Sequence, residues 1–342
     1  MRLGTVMRLA ATLAVLGASG CAEVKQTLTS AGEAMDKVFL GDAAKSAPDQ
    51  APSATMANET APRAARLHAD GLAARKRGDE AAAFSAFGEA ARLGHGPAAY
   101  ELGRAYTDGI GTEVDAKAGD EWFRAAAERG EPRAQFVLGA AYYGGVGVPQ
   151  DYETAVGYLS QAAASGHGQA QYLLGEAYSN GRGVAKNPTW AARWYGKAAE
   201  QGIAEAQYAF GVVHATGLGL PINRAVGYGW LALAVRGGHE KADVVRRAIA
   251  TRLSAKEIRR AEAWAGRFQV RAQPPLADPP TVMYVQQALN TLGFDAGPVD
   301  GQSGPKTRAA VSQYQKKSGL QRDGHISEVL LDRLLADQGS TS

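Results

Sequence analysis

The sequence predicts an all-α protein: an α-solenoid of stacked helix pairs, followed by a small three-helix module. Three observations carry this. An alanine recurs every 36 residues, at Ala98, Ala134, Ala170, Ala206 and Ala242. Sixteen of the 42 glycines fall on four fixed phases of that period. A proline-rich break at 269–281 then separates the array from a last stretch of different composition. Alanine favours helix interiors and glycine opposes them, so a chain rich in both must place glycine at helix ends and turns.

Arg2 and Arg8 accompany a short apolar stretch, Leu9–Gly17, which ends in Ala18-Ser19-Gly20 and then Cys21. A charged start, a brief apolar core and small residues make an export signal over residues 1–20. The stretch is too short for the ~20-residue helix that crosses a bilayer. Cys21 is the only cysteine, so no intrachain disulfide forms. The arrangement resembles the lipobox of bacterial lipoproteins. That resemblance implies acylation of Cys21, a membrane anchor and a periplasmic location. Ala22 in place of Asp implies sorting to the outer membrane.

Charge narrows the partners. Lys and Arg number 37 against 34 Asp and Glu, and without Arg2 and Arg8 the balance is 35 to 34. Such a balance excludes a nucleic-acid-binding surface as the main property of the chain.

Residues 21–63 are expected to form a lipid-anchored tether. Val24, Leu28, Ala31, Met35 and Val38 have the spacing of a short amphipathic helix. Gly41–Arg63 loses nearly all large apolar residues and holds Pro48, Pro52 and Pro62, which predicts a flexible linker.

The array occupies 64–268. In its first full unit, Ala98, Leu102, Ala105 and Tyr106 share one helix face. The pair Gly109 and Gly111 ends that helix, and Asp115 is placed to cap the next. Trp122 and Ala126 face back onto the first helix, Gly103 and Ala126 permit close approach, and Gly130 closes the unit. The later units repeat the Leu-Gly or Phe-Gly pair, the glycine pair, an Asp or Asn cap and the Trp or Tyr. A lone helix pair cannot bury its apolar face, but stacked pairs can. The pattern resembles the Sel-one-like repeat, a relative of the tetratricopeptide repeat, over about 98–241. The shorter unit Ala64–Gly96 resembles an ordinary tetratricopeptide unit capping the array. A helix from about Ala242 and another from Ser254, with Glu257 at capping-box spacing, close the other end. The resemblance implies a protein-interaction scaffold whose concave face holds an envelope protein partner.

Three features invite chemistry and receive a plainer explanation. His95, His167 and His239 share one phase at 72-residue spacing. Helix layers roughly 8–10 Å apart would separate such imidazoles far beyond the reach of one zinc ion, so solvated turn residues are expected and no metal. The Trp and Tyr stripe is expected in the core. Arg236–Arg271 is locally basic, but Ile258, Ala261 and Trp264 provide a buried stripe and leave the charges on a solvated face.

Residues 282–338 read as three helices. The first spans Val285–Leu292 and ends at Gly293, the second starts at Gly304-Pro305, and the third covers Ile326–Leu335. Val299-Asp300-Gly301 and Asp323-Gly324 make the intervening turns. The string from Val285 through Asp323-Gly324 resembles the peptidoglycan-binding domain type one, a three-helix wall module. That resemblance implies contact with glycan or stem peptide at Asp300, Gly301, Thr307 and Gln315. In the first two a turn, and in the last two packing or capping, is the alternative role.

No catalytic constellation stands out. The six histidines form no HExxH, the sole Cys lies at the lipobox, and no stretch remains for a glycosidase fold. The sequence therefore predicts a non-catalytic envelope scaffold without cofactors. A cell-wall hydrolase or its direct activator is the alternative, as is a cytoplasmic adaptor if the export signal is false.

Overall fold

The computed structural model describes residues 54–270 and 279–339. The export signal, Cys21, the tether up to residue 53 and positions 271–278 lie outside the described residues. Among the described residues there are fifteen α-helices and no strand. The chain divides into two compact units, 1–167 and 168–342.

In the first unit, α1 (Ala54–Lys76) and α2 (Glu80–Arg92) form a leading pair. The first repeat is α3 (Gly96–Asp108) and α4 (Ala116–Glu128), the second α5 (Pro132–Gly144) and α6 (Tyr152–Ala164). In the second unit, α7 (Gly168–Asn180) with α8 (Pro188–Glu200) is the third repeat, and α9 (Ala204–Thr216) with α10 (Arg224–Arg236) the fourth. Then come α11 (Ala242–Ala250) and α12 (Ala255–Arg267), and the C-terminal module α13 (Pro279–Thr291), α14 (Pro305–Lys317) and α15 (Glu328–Gly339).

The repeat residues act as their spacing predicts. Asp115, Asp151, Asn187 and Asn223 each accept a backbone N–H from the first turn of the following helix, at 2.9–3.1 Å. Close approach rests on different atoms from those expected. A Cβ on Gly103 would stand 2.9 Å from the Phe123 ring and 3.1 Å from the Gly119 carbonyl, so Gly103 meets Gly119 and Phe123 rather than Ala126. The second glycine of each pair has a separate task. Gly111 has φ +71° and Gly219 φ +83°. A Cβ there would lie 2.3 Å from the Glu80 carbonyl or 2.4 Å from that of Pro188. At these two positions the loop lies against the start of the preceding second helix, where only glycine fits.

Two boundaries differ from expectation. Helix α1 begins at Ala54, inside the span predicted as linker, and runs through Pro62. Ala, Met and Glu around it are strong helix formers, and the exposed proline ring removes one hydrogen bond without meeting a packed neighbour. Helix α13 starts at Pro279, ahead of the Val285 expected. The capping box at Ser254 forms in full: Glu257 N donates to Ser254 Oγ at 3.3 Å and Ser254 N to Glu257 Oε2 at 2.8 Å. On α12, Ala261 and Ala265 are buried, whereas Trp264 sits at the edge, 38% exposed. Arg252, Lys256, Arg259, Arg260 and Arg267 are solvated, in keeping with the charged-face expectation.

Candidate functional site

The C-terminal module is organised by two glutamines. Gln286 on α13 is buried and grips the turn at 300–302. Its Oε1 accepts from the backbone N–H of Asp300 and of Gly301, both at 3.0 Å. Its Nε2 donates to Asp300 Oδ1 at 2.9 Å, and to Gln302 O and Thr307 Oγ1 at 3.1 Å. The Thr307 hydroxyl donates onward to Ala296 O at 2.9 Å. Gln315 on α14 repeats the device at the second turn. Its Oε1 accepts from Asp323 N at 3.1 Å and Gly324 N at 2.9 Å, while its Nε2 donates to Asp323 Oδ1 at 2.7 Å and His325 O at 3.2 Å.

A glutamine amide suits this task because it offers both a carbonyl and two N–H groups, and so satisfies the donors and acceptors of a tight turn together. The same bonds hold the carboxylates ionised. The Gln286 amide, then the Gln302 N–H, keep Asp300 below the usual carboxylate range. The His325 N–H, then Gln315, do so for Asp323.

Of the four residues expected at the ligand, Asp300, Gly301 and Thr307 are brought together at the first turn through Gln286, whereas Gln315 serves the second turn. Asp300 is exposed and Gly301 half-buried, so the first turn faces solvent. Thr307 and Gln315 are each 2% exposed and lie beneath the turns they hold. Gln286, Asp323 and Gly324 complete the arrangement. The signal that could have found them is the recurrence of a helical Gln ahead of an Asp-Gly pair, Gln286 with Asp300-Gly301 and Gln315 with Asp323-Gly324. Phe294 and Tyr314 pack edge to face at 5.6 Å under this face. Burial, with Asp337 accepting its proton at 2.7 Å, pushes the Tyr314 hydroxyl up to about 12.

Helix α13 also packs on the third repeat, which sequence reasoning did not find. The Tyr284 ring meets Trp190 of α8 at 4.3 Å. Arg193, fully buried, donates from Nε to Thr281 Oγ1 at 3.3 Å. Its guanidinium lies 4.5 Å from both the Trp190 and Trp194 rings.

The histidines at a common phase are not the solvated residues expected. His167 stacks on Phe136 at 4.5 Å and His239 on Tyr208 at 4.1 Å. His95 lies 4.7 Å from His68 and accepts from Ala98 N through Nδ1 at 3.2 Å. In each of these three places a preceding helix presents a ring, and for His167 and His239 an aromatic partner is better than water for the imidazole face. Burial lowers the pKa of all three. Among the described residues, no three His, Cys, Asp or Glu side chains gather as metal ligands would. Nor, among them, is any helix long and apolar enough to cross a membrane.

Comparison with known proteins follows these boundaries. Residues 96–131, 132–167, 168–203 and 204–239 match the Sel1 repeat. Residues 278–334 match the peptidoglycan binding domain. Among solved structures, a Sel1 repeat protein from Oxalobacter formigenes is 24% identical, with a TM-score of 0.49, over 62% of this chain and 87% of that one. The protein c5321, described as a protective antigen of uropathogenic Escherichia coli with an SLR fold, is 23% identical. Its TM-score is 0.47, over 84% of this chain and 65% of that one. The immunity protein Pa5087 from Pseudomonas aeruginosa is 19% identical, with a TM-score of 0.34, over 66% and 86%. No curated protein matches the chain.

Proposed function

We propose that this chain, which carries four Sel1 repeats and a peptidoglycan-binding domain, is a non-catalytic scaffold of the cell envelope. The C-terminal module holds peptidoglycan, the helical array holds an envelope protein on its concave face, and acylated Cys21 anchors the periplasmic chain to the outer membrane. The observation that carries this reading is the pairing of the repeat array with a module matching a peptidoglycan-binding domain across nearly its whole length. A lipid and a wall contact on one chain raise each other's effective concentration, so modest wall affinity suffices. Within the module, the solvent-facing turn at Asp300-Gly301 is the point of wall contact, and Thr307 and Gln315 serve it by holding the turns in shape.

Pull-down of the mature chain with purified sacculi tests the main claim. Wild type is expected in the sacculus pellet, and a chain ending at Val270 in the supernatant, with its helicity checked by circular dichroism. Equal pelleting of both would refute wall binding by the module. Replacing Cys21 by Ser should release the protein from the membrane fraction, and retention would refute the lipid anchor. Zymography on peptidoglycan gels should show no clearing, and a cleared band would make the chain a hydrolase.

A further inference from the structure

The second helices of the four repeats follow one template, and the third departs from it at two positions. Where α8 has Trp190, the other repeats have Ala118, Thr154 and Val226. Where it has Arg193, they have Glu121, Gly157 and Gly229. Large residues at phases that are small or polar elsewhere need a reason outside the repeat. The structure gives it, since both side chains are covered by α13: Trp190 by Tyr284, and Arg193 by Thr281. Arg193, Thr281 and Tyr284 are all fully buried, and Trp190 is 2% exposed.

The chemistry fits a fixed seat. A guanidinium withdrawn from water is unfavourable unless its charge is compensated. Here two indole faces flank it, and cation–π attraction is strongest in desolvated surroundings. Met283, the residue before Tyr284, packs on the hydrophobic cluster that α8 shares with α9, α10 and α12. The fourth repeat shows the converse device. Its small residue at the Arg193 phase, Gly229, admits Trp264 of α12, and a Cβ there would lie 2.8 Å from that ring. Helix α12 thus uses a glycine that the second repeat also has, Gly157, whereas α13 sits on residues found in the third repeat alone.

We infer that the third repeat is a dedicated socket for the wall module, which sits clamped on α8 and turns with the repeat beneath it as one body. The seating stands on the geometry alone. Its consequence, that the pose in which the module is held by peptidoglycan orients the array, rests on the proposed wall binding. A partner protein must then use other faces of the array, because the Trp190–Arg193–Trp194 surface is already covered.

Backbone 15N relaxation on the full chain carrying Cys21→Ser tests this. Amides of the module and of α7–α10 are expected to report one rotational correlation time. In Arg193→Glu the module's value should fall at least two-fold while the repeats keep theirs. Because a buried arginine can also hold α8 together, Thr281→Arg, which sets a like charge against Arg193 from the module side, should give the same separation. A wild-type module that already tumbles at least two-fold faster than the repeats overturns the inference. So does a Thr281→Arg chain that still reports one correlation time. Sacculus pull-down of the same samples separates the two claims: one common correlation time without pelleting sinks wall binding and leaves the socket standing.

Discussion

The two ends of the repeat array are finished with opposite chemistry. At the first repeat, Glu101 of α3 is buried and takes the Arg75 guanidinium of α1 at 2.6 Å and that of Arg133 of α5 at 2.8 Å. At the fourth repeat, Trp230 of α10 meets Trp264 and Phe268 of the closing segment at 5.0 and 5.3 Å. The first join is ionic and the second aromatic. Glu101 stands where the other repeats have Val137, Leu173 and Ala209, so it too breaks the template. Glu101, Trp190 and Arg193 teach one lesson. At these two places a departure from the repeat marks where something other than a repeat attaches, whereas the closing segment is taken by Trp230, which the template already supplies.

The largest effect is expected from the aromatic end. Trp230 is 6% exposed, and its replacement by Ala should destabilise the second unit by about 4 kcal/mol through lost transfer energy and the cavity left behind. Urea unfolding followed by fluorescence would measure it. Because the join is apolar, the loss should be the same at low and high salt. A strongly salt-dependent loss would break the contrast between the ends.

Next comes mild acid, which singles out the second unit. His214 stands where Tyr106, Tyr142 and Tyr178 stand in the other repeats. Burial pushes its imidazole down to about 4 from an ordinary 6.5. The unfolded chain takes the proton below 6.5 and the folded chain refuses it, so stability falls as pH drops from about 6.5 towards 4. Over that span the loss reaches roughly 3 kcal/mol. Burial also lowers His68, His95 and His167 in the first unit and His239 in the second, so a shallower slope is general. His214→Tyr should remove most of the slope in the second unit, as read by hydrogen exchange of α9 and α10 between pH 7 and 4.5. An unchanged slope would show that His214 accepts its proton in the folded state.

Glu101→Gln probes the ionic end. Breaking a fully buried pair removes about 3–5 kcal/mol. Arg75 and Arg133 stay 28% and 41% exposed, so roughly 2 kcal/mol is expected here. Burial raises the Glu101 carboxyl, but the hydrogen bond from Arg75 and the fields of Arg75, Arg133 and Arg104 outweigh it and hold it below the ordinary 4.5. Its contribution is therefore complete above about 4.5 and is lost as pH falls through the lower folded value. Unlike the Trp230 loss, this one should shrink at 1 M salt.

How far the sequence discloses all this follows from what periodicity can encode. The 36-residue pitch, the Asp and Asn caps, the glycine-ended first helices and the capping box at Ser254 are readable because each is a local rule repeated or spaced in a known way. The start of α1 is not, since Pro62 and the near lack of large apolar residues look like a linker when helix propensity is the only opposing signal. In the wall module, Asp300-Gly301 and Asp323-Gly324 are readable as turns. The destination of the Thr307 and Gln315 side chains is not, because a polar side chain on a helix serves a backbone turn or a ligand with the same atoms. Trp190 and Arg193 were visible as departures, but only the fold shows that α13 covers them.

The finest contrast lies in the helix caps. The first unit uses Asp79, Asp115 and Asp151, the second Asn187 and Asn223, and all five accept a backbone N–H. Asp and Asn are about equal as caps, so the choice hardly matters at neutral pH. It matters in acid, because Asn has no proton to take. At Asp151 the Thr154 hydroxyl, donating at 2.6 Å, and then the Thr154 N–H hold the carboxyl below the ordinary 3.8. The stability it confers is present above 3.8 and lost as pH falls through the lower folded value. Asp151→Asn should therefore leave the neutral midpoint almost unchanged and slow the exchange of α6 amides at pH 3 relative to wild type. Asn187→Asp should do the reverse, giving α8 an acid sensitivity that it lacks. If neither exchange rate moves, the caps do not distinguish the two units, and their difference in acid rests on Glu101 and His214.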